Sequence, residues 1–211
     1  MIKKAFTLAE VLMVIGIIGV IAAVTIPNLN QNIDSEKNIA LIRNTADQIE
    51  VGIGKHLASG GTIQESCGSK TGALKVVCIG DIIKNNLKST KTCNSPISVS
   101  DCFAVSGIRS GQSCGYGFVL SNKVSACIGT NADRIFIDID GAQNGINAYG
   151  ADVFEFLISD DGLSFISSGG RKNRRNFARN QDETEWAMVV GNQDYLTCSG
   201  TLQWGVKEGC Q

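Results

Sequence analysis

Between Val11 and Ile26 the chain runs for sixteen residues without a charge, on side chains that are almost all aliphatic. From Phe6 to Ile26 the apolar stretch is 21 residues, about 31 Å as a helix, which matches a hydrocarbon core of about 30 Å. A single membrane span is the expectation. Lys3 and Lys4 precede it, and cationic flanks stay cytoplasmic, so everything beyond Pro27 is expected on the outer face of the membrane.

Glu10 stands at the start of this run. A charged side chain near the middle of a membrane helix costs roughly 2.5 to 3.5 kcal/mol, and less near an interface, so a carboxylate here needs a reason. Two chemistries supply one. Removal of residues 1–5 would leave a new α-amino group on Phe6, one helical turn from Glu10, and the two would neutralise each other within a chain or between neighbours. Alternatively, Glu10 lies close enough to the cytoplasmic surface to reach headgroups and water.

The stretch Lys3-Lys4-Ala5-Phe6-Thr7-Leu8-Ala9-Glu10-Val11-Leu12 closely resembles the class III signal of type IV prepilins and type II secretion pseudopilins. The resemblance implies that a prepilin peptidase cuts between Ala5 and Phe6, that the same enzyme N-methylates Phe6, and that Glu10 registers the subunit in a growing filament. The chain departs from the family at Ala5, where glycine is usual. Pro27 falls where many pilins carry proline, and the missing backbone donor predicts a kink or a melted turn near Ile26. Two rival readings are an ordinary secretory signal cut near Val20-Ile21-Ala22 and a plain single-pass anchor. Neither accounts for Glu10.

After Pro27, apolar Leu29, Ile33, Ile39, Ile42, Ala46, Ile49, Ile53 and Leu57 recur at steps of mostly three and four, with charged residues between them. This spacing predicts an amphipathic helix that continues the first one as far as Ser59-Gly60-Gly61, about 78 Å in all. His56, the only histidine, reads as a residue of that helix's C-terminal end, with no serine and acid pattern around it to make a triad. Beyond Gly61, the segments Tyr116 to Leu120, Val124 to Ile128, Arg134 to Ile139 and Val153 to Ile158 predict a small antiparallel sheet. Ser121-Asn122-Lys123 is expected to be a tight hairpin connection and Asp81 to Lys88 a short helix. The rest of Cys67 to Cys114 reads as loop.

All eight cysteines, Cys67, Cys78, Cys93, Cys102, Cys114, Cys127, Cys198 and Cys210, follow the apolar run. On the outer side of a membrane they are expected to form up to four disulfides. Zinc is the lesser alternative, because no pair has the two-residue gap of a zinc knuckle and His56 is far from the first cysteine. The spacing of Cys198 and Cys210 suggests a local C-terminal bridge.

Two loops carry concentrated charge. Asp138, Asp140, Asn144, Asn147 and Asp152 gather oxygen ligands between two strands, with Gly141 and Gly150 available for turns. Calcium is the natural candidate for such a set; the alternative is a long β-turn, since Asp-Gly and Asn-Gly also serve turns. It is not an EF-hand, because the twelfth position from Asp138 is Tyr149 rather than Glu. It is similar to Asp-Gly-Asn-Gly-Asp loops of pseudopilin-like heads, some of which bind calcium. Arg171, Lys172, Arg174, Arg175 and Arg179 make a basic loop. Three readings fit: a solvated loop, a contact with a neighbour's acidic surface, or capture of DNA or another polyanion with Phe177 as a stacking residue. The tail, with Trp186, Trp204 and its two cysteines, looks like the C-terminal region of some prepilin-type proteins, and its aromatics read as core.

The expected fold is therefore α+β: a long N-terminal helix, membrane-spanning and then amphipathic, packed on a small, disulfide-rich antiparallel head of pilin type. Its divisions are a leader over 1–5, a membrane and filament-core helix over 6–27, an amphipathic extension over 28–59 and an extracytoplasmic head over 60–211. The resemblance implies a non-enzymatic structural subunit of a type IV pilus or type II secretion-like filament, with no required cofactor. Its partners would be the prepilin peptidase, other pilin or pseudopilin subunits and the inner membrane, before it enters an extracellular or periplasmic filament. The alternative is a minor pilin that binds DNA or a surface through its charged loops. A net charge of −1 gives no global field for recruiting nucleic acid, and no nucleophile, base and orienting group stand together to suggest a hydrolase.

Overall fold

A computed structural model describes residues 8–94, 99–103, 113–141, 148–165, 176–179 and 181–210, with the backbone alone at 24–33 and 99. The contacts divide the chain into two units, Met1–Lys37 and Asn38–Gln211.

The first unit carries the start of helix α1, Leu8–Ala58. Its described aliphatic side chains are uncovered: Leu8 is 78% exposed, Met13 70% and Val20 68%. Among the described residues no helix is long and apolar enough to cross a membrane. The backbone stays helical through Ile26 and Pro27, so the melted turn expected there is absent. One lost donor does not end a helix whose neighbouring turns keep theirs.

In the second unit, α1 buries Ile39, Ile42, Ala46, Ile49 and Ile53, each at most 4% exposed. Their spacing of three or four places them on one stripe, and burying each isoleucine is worth roughly 1.5 to 3 kcal/mol. Leu57, read as the last member of the stripe, is instead 46% exposed. The final turn directs His56 toward Ser66 and leaves Leu57 outside. After the Gly60 turn, at φ +95°, come α2 (Ile63–Cys67) and α3 (Gly72–Asn85). Thr62 caps α2, taking the Glu65 amide on its hydroxyl while the Glu65 carboxylate takes the Thr62 amide.

Six strands follow: β1 (Ser89–Cys93), β2 (Cys114–Leu120), β3 (Ser125–Gly129), β4 (Arg134–Asp138), β5 (Val153–Ser159) and β6 (Gly162–Ser164). They form one antiparallel sheet in sequence order, which is the α+β head read from the sequence. The hairpin at Ser121-Asn122-Lys123 is formed, closed by Leu120 N–H donating to Val124 O at 2.9 Å. Alternation divides the strands between two faces. Phe118, Ala126, Ile128, Ile135, Ile137, Phe154 and Phe156 join α1 and α3 in the main core. Cys127, Phe136, Val153 and Phe103 make a smaller core. The sequence reading missed β1, β6 and most of α3, whose first residue is Gly72 rather than Asp81.

The eight cysteines close four local bridges, Cys67–Cys78, Cys93–Cys102, Cys114–Cys127 and Cys198–Cys210. They tie α2 to α3, β1 to the segment after it, β2 to β3, and the two ends of the tail. In the tail, helices α4 (Glu183–Val189) and α5 (Tyr195–Cys198) collect the aromatic core. Phe177 stacks on Tyr195 at 5.4 Å, and its ring meets the Trp186 edge at 5.2 Å.

Candidate functional site

The acidic loop begins where β4 ends. Asp138 is fully buried, and its Oδ1 accepts the Gly141 amide at 2.9 Å. Gly141 has φ +86°, a conformation only glycine adopts cheaply, so it is what turns this amide back onto the carboxylate. The Ile139 amide donates to Asp152 O at 3.0 Å and so closes the loop's two ends together. Burial pushes the Asp138 carboxyl up to about 7. Hydrogen bonding to Asp140 and the charges of Asp140 and Asp152 act in the same direction, against the Gly141 amide. Among the described residues no amide or hydroxyl donates to Asp138 Oδ2. A hydrogen bond between the two carboxyls exists only while one of them holds a proton, so the cluster needs a proton or a cation to be stable.

The far end of the loop is clamped by the tail. Gln193 Nε2 donates to Gly150 O at 3.0 Å and to Ala151 O at 2.7 Å. Tyr195 OH donates to Gly150 O at 2.6 Å, and burial pushes that phenol well above its ordinary range. Gly150, at φ +80°, lies against Glu183, where a Cβ would come within 2.7 Å of Cγ. The loop's described ends are thus fixed from both sides before any ligand arrives, which lowers the ordering cost of binding.

Of the five residues read as calcium ligands, the structure brings together Asp138, Asp140 and Asp152; Asn144 and Asn147 lie outside the described residues. Among the described residues no group of three or more His, Cys, Asp or Glu side chains is arranged to hold a metal ion. The described donors therefore supply an acidic cluster whose remaining ligands would have to come from the loop itself.

In the basic loop, Arg171, Lys172, Arg174 and Arg175 lie outside the described residues, and Arg179 is exposed. Phe177, read as a stacking residue for a polyanion, is 8% exposed and packed between Tyr195 and Trp186. It belongs to the core, because a large apolar ring next to two buried aromatics gains more from packing than from display. In the N-terminal motif, Ala5 and Phe6 lie outside the described residues, while Glu10 is exposed on α1.

One contact the sequence reading did not find is His56 Nε2 with Ser66 Oγ, at 2.9 Å. It borders a groove of about 480 Å³ that Lys70, Leu74, Asp81 and Ile82 also line. The signal was local: ten residues separate the pair, with Gly60-Gly61 between them to reverse the chain. Among the described residues no carboxylate hydrogen-bonds the His56 ring, and Asp81 instead accepts Tyr116 OH at 2.7 Å. The contact therefore joins α1 to α2 without the third group that orients a catalytic imidazole.

No protein family, no curated protein and no solved structure matches the chain.

Proposed function

We propose that this protein is a structural subunit, pilin or pseudopilin, of a type IV pilus or type II secretion-like filament, made as a prepilin in the inner membrane. The observation that carries the reading is the Lys3 to Leu12 motif with Glu10 at the head of an uncharged run. The chemistry runs in one order. A prepilin peptidase cuts between Ala5 and Phe6 and methylates the new amine; that amine lies one helical turn from Glu10 and neutralises it; the helix can then leave lipid for a filament core of like helices. The exposed aliphatic surface of Leu8 to Ile21 supports this, since such a surface needs lipid or other subunits to cover it. The disulfide-bonded, antiparallel second unit suits the oxidising space outside the membrane.

Mass spectrometry of the membrane-purified protein tests it. The expected mature N-terminus is Phe6 bearing one methyl group; an N-terminus between Ile21 and Val24 would sink the reading.

A second element is calcium in the acidic loop, favoured by the buried Asp138 carboxyl, whose Oδ2 takes no amide or hydroxyl donor from the described residues. Asp138 would hold the ion with oxygens of the loop, Asp140 and Asp152 standing near it without the three forming a metal-holding group as they are placed, and the ion would neutralise charge that the fold otherwise suppresses with a proton. Millimolar calcium is expected to raise the melting temperature at pH 8, and Asp138→Asn to abolish that rise. An equal rise in the variant rules calcium out at this site.

A further inference from the structure

Two of the four bridges lie side by side over one glycine. In the sheet Cys93 of β1 pairs with Gly117 of β2, and Gly117 pairs with Cys127 of β3. Residues paired in this way share a face, so the two cysteines flank a position that has no side chain. Their partners close in above it. A Cβ on Gly117 would lie 2.9 Å from Cys102 Cβ and 3.8 Å from Cys114 Sγ. Those two atoms are therefore no farther apart than the two lengths together, about 6.7 Å, although they belong to different bridges, Cys93–Cys102 and Cys114–Cys127.

The four sulfurs are not equally reachable. Cys93, Cys102 and Cys127 are at most 1% exposed, whereas Cys114 is half-buried. Cys114 also lines a groove of about 570 Å³, whose wall includes Asn94, next to Cys93, and Ser100. Exchange needs a thiolate brought against a disulfide sulfur, and access decides which sulfur is attacked first. Here that sulfur belongs to Cys114.

We infer that Cys93, Cys102, Cys114 and Cys127 form one thiol–disulfide exchange site, which takes an electron pair from an external dithiol and holds it under a second pairing, Cys102–Cys114. The dithiol enters at Cys114. It gives two protons and an electron pair to the Cys114–Cys127 bond and leaves as a disulfide, so Cys114 and Cys127 become thiols. The Cys114 thiolate then attacks Cys102 Sγ. The Cys102–Cys114 bond forms, the Cys93–Cys102 bond breaks, and Cys93 Sγ leaves with the electron pair and takes up the proton that Cys114 gave. Cys93 and Cys127 finish as thiols. They do not bridge each other, because two strand spacings, about 9.6 Å, exceed the Cα separation of about 7 Å that a disulfide can span. The exchange releases β1 and the β2–β3 pair from their covalent ties and fastens Cys102 to β2 instead. The bridges Cys67–Cys78 and Cys198–Cys210 join other elements and take no part.

Limited reduction of the oxidised full-length chain tests the site. One equivalent of dithiothreitol is added at about pH 8, where thiolate is available; free thiols are then capped with N-ethylmaleimide and the peptides are mapped by mass spectrometry. The expected product has peptides joined through Cys102–Cys114 and caps on Cys93 and Cys127. Caps on native pairs alone, with no Cys102–Cys114 peptide, overturn the inference. Equal yields of new bridges to Cys67, Cys78, Cys198 or Cys210 also overturn it, because they would show scrambling of an unfolded chain. Cys127→Ser asks the same question without reductant: it leaves a Cys114 thiol beside the Cys93–Cys102 bridge. The oxidised variant should divide between two pairings and cap at Cys93 at least tenfold more than the parent, with Cys67–Cys78 and Cys198–Cys210 intact. Capping at Cys114 alone would deny the exchange.

Discussion

Asp138 is a carboxyl that folding makes costly to ionise, which gives the second unit a specific pH dependence. Its folded value stands near 7, raised from an ordinary 3.8 first by burial and then by Asp140. Between about pH 4 and 7 the folded chain keeps a proton that the unfolded chain has released, so this residue's contribution to stability falls as pH rises. Below that window the contribution is complete; above it the loss is constant. Asp138→Asn removes the titration while leaving an oxygen for the Gly141 amide and a donor for Asp140. In thermal melts without calcium, the variant is expected to lose the decline between pH 4 and 7 and to melt higher than the parent at pH 8. A decline of unchanged size would show that the Asp138 carboxyl is not the group responsible. The sequence exposed this residue as a candidate but not its burial, because the tail that clamps the loop, through Gln193 and Tyr195, lies more than forty residues away.

At the scale of elements, legibility follows how much of an element's stability is written locally. The α1 stripe from Ile39 to Ile53 and the hairpin at Ser121-Asn122-Lys123 were readable because period and turn residues sit side by side in the sequence. α3 was not readable over most of its length. Its β-branched Val76, Val77 and Ile79 and its internal Gly80 all lower helix propensity, and the helix is fixed instead by burying Val76, Ile79 and Ile83. Gly80 itself has a tertiary reason: a Cβ there would lie 2.5 Å from the Tyr116 ring, whose hydroxyl reaches back to Asp81. β1 was hidden because Ser-Thr-Lys-Thr-Cys is polar and interrupted by a register shift, as suits an edge strand. The bridges Cys67–Cys78 and Cys93–Cys102 then fasten the region that read as loop. Each is worth roughly 3 kcal/mol through the unfolded state for loops of this length.

For the whole molecule, the proposed filament role would require the chain to satisfy two solvents in turn. An exposed aliphatic surface over Leu8 to Ile21 cannot be left in water, and the charge on Glu10 cannot be left unneutralised in lipid without cost. On the proposed reading the N-terminal motif would answer both: cutting before Phe6 would create a cation one helical turn from Glu10, in the same event that would mark the subunit as ready. If that is its role, Glu10→Ala removes a cost of membrane residence and should leave insertion and cleavage intact, since neither step uses the carboxylate. What it removes is the partner of the Phe6 amine, so the mature variant is expected to accumulate in the membrane at parental levels, methylated at Phe6, while its yield in sheared filaments falls at least tenfold. Glu10→Asp keeps the charge but shortens its reach, and should fall between the two. Incorporation of Glu10→Ala at the parental level would take assembly away from this carboxylate and leave it the simpler role of a residue near the headgroups.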